Sequence, residues 1–175
     1  RHYTVSRRIQ LLPGRIAVKD TLRNDSAGDL GLIVRNHLIT AGKRFGESRL
    51  AGNKSIGRTP QQSTGGPSVF LSRPGLGLGL LPLDDVYIVQ ALCYNEKGVA
   101  GVATENFALA PRAEYTLEWA VYLNGTGDYF DFTNAGRKDD GRIGRIEGGF
   151  DSINYSMQDR RLILTPDQVR LKNLR

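Results

Sequence analysis

Between residues 2 and 123, apolar and polar positions mostly alternate in short runs separated by turn-forming clusters. HYTVSRRIQLL, residues 2 to 12, has a period of two with Tyr3, Val5 and Ile9 among its bulky members, the pattern of a half-buried strand. Pro13-Gly14 turns the chain. RIAVKDTLR, residues 15 to 23, then sets Ile16, Val18 and Leu22 against Arg15, Lys19 and Arg23, with Thr21 interrupting the alternation. These two segments predict a hairpin. Asn24 to Asp29 is rich in residues that close turns, and a third strand follows over Leu30 to Thr40.

Further strands are expected at Ser68–Leu71, Leu76–Leu81 and Val86–Tyr94, the last on the β-propensity of VYIVQALCY. After the turn Asn95–Gly98 come Val99–Leu109 and Glu114–Leu123, joined by Ala110–Ala113. In the latter strand Tyr115, Leu117, Trp119 and Val121 share one face, which makes Trp119 core-facing. Residues 41–66 hold no sustained apolar period and predict a long loop, either a mobile insertion on a sandwich edge or a flap over a ligand groove. DYFDFTNAGRKDD, from Asp128, has acidic residues early and basic ones late, as a short closing helix prefers. Thr165-Pro166-Asp167 reads as a helix start. The fold class is therefore all-β, an antiparallel β-sandwich or supersandwich with a short C-terminal helical extension. Its expected division is a sandwich over residues 1–127 and, over 128–175, a helical linker and the start of a following domain.

Composition agrees with frequent turns, since the chain carries 21 glycines and seven prolines among 175 residues. No run approaches the about 18 apolar residues of a membrane helix, so no membrane partner is expected. The net charge of +6 is scattered in ones and twos with acids between, which argues against nucleic acid. Cys93, the lone cysteine, falls inside a strand-like run and reads as a buried small hydrophobe.

Gly75-Leu76-Gly77-Leu78-Gly79 superficially matches a phosphate loop, but a proline precedes it and strand-like sequence follows, so the glycines read as a crowded or bulged strand. The aspartates Asp84, Asp85, Asp128, Asp131, Asp139 and Asp140 form no calcium-loop signature and suit turns and helix caps. His2 and His37 lie on different strands without a clustered ligand, so no metal and no cofactor is expected, and His37 reads as a wall residue. No G-x-S-x-G elbow occurs, and no catalytic residue is assigned.

Two stretches, YTVSRRIQLLPGRIAVKDTLRNDSAGDLGLIVRNHL and AEYTLEWAVYLNGTGDYFDFTNAGRKDDG, resemble an accessory β-sandwich of large bacterial glycoside-hydrolase-like proteins. There a sandwich similar to the galactose-mutarotase-like supersandwich precedes a catalytic α/β barrel, linked through a D-Y-x-D-F-x-N-A-x-R-x-D helix. Asp128, Tyr129, Asp131, Phe132, Asn134, Ala135, Arg137 and Asp139 match that pattern. The resemblance implies a non-catalytic carbohydrate-associated module, extracellular or periplasmic, that contacts polysaccharide or oligosaccharide or supports an adjacent catalytic domain in the parent chain. Tyr87, Tyr94, Tyr129, Phe130, Arg44 and Asn53 are the candidate sugar contacts, being aromatic or hydrogen-bonding side chains at strand ends and in loops. Two alternatives stand beside it. One is a glycan-cleaving enzyme fragment using Asp84, Asp85 or Glu105. The other is a structural or adhesive sandwich that binds protein through an exposed apolar patch.

Overall fold

A computed structural model describes residues 2–40, 45–59 and 66–141. Residues 1–140 form one compact unit, and residues 141–175 cluster as a second, of which only Gly141 is described. In chain order the elements are β1 (Tyr3–Leu12), β2 (Arg15–Asn24), β3 (Leu30–Ile39), β4 (Glu47–Leu50), β5 (Asn53–Lys54), β6 (Gly57–Arg58), β7 (Val69–Arg73), β8 (Leu76–Pro82), α1 (Asp85–Gln90), β9 (Leu92–Glu96), β10 (Val99–Leu109), β11 (Glu114–Asn124) and α2 (Tyr129–Asp139). The strands make a seven-stranded sheet in the order β1-β2-β11-β8-β7-β4-β5 and a four-stranded sheet in the order β3-β10-β9-β6. Every described pairing is antiparallel. The expected sandwich and its closing helix are both present.

The core follows from the period-two pattern. Val18, Leu22, Leu117 and Trp119 of the large sheet join Cys93, Val102 and Phe107 of the small one in a single buried cluster. Through it runs a polar chain. Asp20 is 2% exposed and accepts hydrogen bonds from Arg7 Nε (2.6 Å), Arg7 Nη2 (2.9 Å) and Trp119 Nε1 (2.9 Å). Arg7 Nη2 also donates to Asn36 Oδ1, whose Nδ2 donates to the Tyr87 hydroxyl, which donates to the Val102 carbonyl. This sequence of bonds joins β1, β2 and β11 to β3, α1 and β10.

α2 lies on the outer face of the large sheet, where Gly79 leaves room for its Phe132 and Gly77 for the side chain of Asn124 on β11. A Cβ at Gly79 would come within 2.0 Å of the Phe132 ring, and one at Gly77 within 2.3 Å of Asn124 Oδ1. Phe132 instead stacks on Phe70 at 5.2 Å and meets Tyr122 edge-on at 5.7 Å. The glycine-rich run is thus a crowded strand, as expected. Asp128 caps the helix through Phe130 N and Asp131 N, and Arg15 of β2 pairs with Asp139 near its end at 2.6 Å.

Two expectations are corrected. The run Val86–Tyr94 is not one strand, because Asp84 caps the short helix α1 by accepting from Tyr87 N, and Tyr87 is fully buried on that turn. A side-chain cap and core burial override the β-propensity of Val86, Ile88 and Val89. The region 41–66 is not simply an insertion either. Its described part, 45–59, contributes β4 and β5 to the large sheet and β6 to the small one. β4 is held by main-chain pairing to β7, β5 to β4 and β6 to β9, and strands of two to four residues leave no periodic trace. The expected helix start at Thr165 lies outside the described residues.

Removing the Asp20 carboxylate strands a buried indole N–H and an arginine that is half-exposed. Asp20→Ala is therefore expected to cost about 2–3 kcal/mol in urea unfolding, against less than about 0.5 for the exposed Asp29→Ala. Burial also pushes the Cys93 thiol up to about 11 and raises the Tyr87 phenol. Both are held protonated when folded, whereas an unfolded thiol ionises near about 8.5. The stability they contribute is present below that value and lost as pH rises toward 11, so the urea midpoint should fall between pH 8 and 11. At pH 8, labelling of Cys93 by a thiol reagent should proceed only as fast as the chain opens.

Candidate functional site: a polar row across the small sheet

The outer face of the four-stranded sheet carries one residue from each strand in a continuous row. Gly101 of β10 pairs with His37 of β3 on one side and Tyr94 of β9 on the other, and Tyr94 pairs with Arg58 of β6. The neighbouring rows are Arg35–Ala103–Leu92 and Ile39–Val99–Glu96. Alternation in β3 is the cause: Asn36 points inward to the core, so Arg35 and His37 point outward. Gly101 is required in the middle of the row, since a Cβ there would lie 2.1 Å from the Asn36 carbonyl oxygen and 2.6 Å from His37 Cβ. Over this glycine the Tyr94 hydroxyl reaches His37 Nδ1 at 3.2 Å.

A bulge between Thr104 and Phe107 switches the inward phase of β10 after Thr104. Glu105, at that bulge, accepts from Arg58 Nη2 at 2.6 Å and lies 3.7 Å from Arg35 Nη2. The bond to Glu105 raises the Arg58 pKa, and burial raises that of Tyr94 against the opposing field of Arg35 and Arg58. Tyr94 therefore stays a neutral phenol. The two-residue turn Lys97-Gly98, with φ of 50° and 79°, closes the β9–β10 hairpin and brings Lys97 to the rim. The result is an open cleft of about 300 Å³ lined by Arg35, His37, Arg58, Tyr94, Glu96, Lys97 and Val99.

The expected sugar contacts are scattered. Tyr94 alone lies in this cleft, and at 7% exposure it offers little ring surface for stacking. Tyr87 is in the core, bonded to Asn36 and Val102. Tyr129 packs against Phe70 and beneath Arg49, and the neighbouring Phe130 is 67% exposed. Asn53 is exposed and follows Gly52, whose Cβ would lie 3.2 Å from the Tyr129 hydroxyl. These three gather at the start of α2, away from the small sheet. Arg44 lies outside the described residues.

Asp84 caps α1 and also accepts from Tyr115 Oη and Glu118 N. Glu105 holds the arginines. His37, read from sequence as a wall residue, is joined by Arg35, Arg58 and Lys97, which were not singled out. The alternation of β3 was signal enough for Arg35 and His37, whereas Arg58 needed the pairing of β6 with β9. Among the described residues, no group of three or more histidines, cysteines or carboxylates could hold a metal ion, and no helix is long and apolar enough to cross a membrane.

No protein-family model matches the chain, and no curated protein does. Among solved structures, the chain is similar to the Slr1438 protein of Synechocystis sp. PCC 6803, with 8% identity and a TM-score of 0.47 over 70% of this chain and 54% of that one. It is also similar to a protein of Escherichia coli K12 assigned as an aldose 1-epimerase, with 12% identity and a TM-score of 0.44 over 71% of this chain and 61% of that one. The chain thus spans little more than half the length of either structure.

Proposed function

We propose that this sandwich is a non-catalytic carbohydrate-contacting module of a polysaccharide-processing protein, working outside the cytoplasm, and that the cleft on the small sheet is its sugar contact. The row His37–Gly101–Tyr94–Arg58 carries the reading. It sets planar hydrogen-bonding side chains along a floor kept low by Gly101, Ala103 and Val99, an arrangement suited to hydroxyl-bearing rings. Two of the carboxylates weighed for hydrolysis serve structure, Glu105 by pairing with arginine and Asp84 by capping and cross-linking, which supports contact rather than cleavage.

A second observation favours the supporting role beside a catalytic domain of the parent chain. β1 is exposed along nearly its whole length, with Val5, Ile9 and Leu11 at 50, 63 and 80%. A ten-residue edge strand bare of cover suits packing against protein.

Oligosaccharide binding measured by calorimetry over a panel of plant, algal and bacterial glycans tests the sugar contact. At least one glycan should bind, and His37→Ala should weaken it roughly tenfold, the loss of about 1.4 kcal/mol expected for one well-placed polar contact. Phe130→Ala, on the other sheet's helix, should leave it unchanged. Absence of binding to every glycan would refute the reading.

A further inference from the structure

We infer that the cleft is built for a sugar bearing a carboxylate, a hexuronate residue of an acidic polysaccharide; this rests on the sugar-contact reading above. Three cationic side chains, Arg35, Arg58 and Lys97, line the cleft against the single carboxylate of Glu96. Counting Glu105 as well still leaves one positive charge in excess. Moreover, the two guanidinium groups share one oxygen, Glu105 Oε1, at 2.6 Å from Arg58 and 3.7 Å from Arg35. Arg58 makes no other hydrogen bond among the described residues and Arg35, in ion-pair contact only, makes none, so most donors of two planar forks remain open to a ligand. A carboxylate accepts two parallel N–H bonds from such a fork, a match a neutral hydroxyl cannot make.

His37 adds a donor or acceptor beside them. Its Nδ1 is engaged by the Tyr94 hydroxyl, and Nε2 has no partner among the described residues. The field is felt within the site, since Arg35 and Arg58 both act to lower the Tyr94 pKa against its burial. The other polar face, over β1, β2 and β11, differs. There Lys19 pairs with Glu118 at 2.6 Å and Thr21 bonds Thr116 at 2.8 Å, so its groups largely satisfy one another.

The test is calorimetric titration of the full chain with oligogalacturonate, a sulfated galactan oligosaccharide and a neutral cello-oligosaccharide of equal length. Oligogalacturonate should bind roughly tenfold or more tighter than the neutral chain, and the preference should shrink as salt rises. Arg58→Lys keeps the charge and loses the fork, and should lose most of the preference for carboxylate. Arg35→Gln should reduce it, and Arg8→Gln, on the large sheet, should leave it intact. Equal binding of neutral and acidic glycans overturns the inference while the sugar contact stands. A stronger response to the sulfated chain overturns the choice of carboxylate. Binding of none overturns both. Unchanged thermal midpoints of the variants separate lost recognition from lost folding.

Discussion

The structure depends on one buried carboxylate. Asp20 faces the interior from β2 and is satisfied from two sides, by the Arg7 fork across β1 and the Trp119 indole across β11. A carboxylate so placed is tolerated only when its oxygens are occupied, which demands that all three strands keep one register. Arg7 also stacks over the Trp119 ring at 5.6 Å, so the same side chain supplies charge, hydrogen bonds and packing.

The consequence reaches the opposite sheet. Arg7 and Tyr87 together hold Asn36 inward, which fixes the phase of β3. With Asn36 inside, Arg35 and His37 must stand on the outer face, and a slip of one residue would bury both. On β10, Tyr87 is bonded to the Val102 carbonyl, and the flanking Gly101 and Ala103 lie on the outer face as the floor of the cleft. The interior network and the exterior row are thus two sides of the same strands.

The long strands were legible because burial of one face writes a period of two into the sequence. β2 and β3 follow it closely, whereas β1, read as half-buried, is exposed on both faces and β10 changes phase at its bulge; the glycines of β8 were readable as crowding because no helix followed them. The helix α1 was not legible, for DVYIVQ has a strand-former's composition and was decided by a cap at Asp84 and the burial of Tyr87. Nor were β4, β5 and β6, which are too short to carry a period, β4 and β6 being held by pairing with the distant β7 and β9. The cleft failed for the same reason. His37 and Arg58 reach Gly101 and Tyr94 of the β9–β10 hairpin only through registers with strands far away in sequence, and exposed-aromatic reasoning led to Phe130 and Tyr129 as well as to Tyr94.

The most direct measurement is a backbone-amide NMR titration of the chain with an oligosaccharide that binds it. The account requires the shifted amides to cluster on the outer face of the small sheet, around residues 35–37, 58, 94–97 and 101. Shifts confined to Ser6, Thr21 and Thr116 on the large sheet, or to Asn53 and Phe130 at the start of α2, would contradict it.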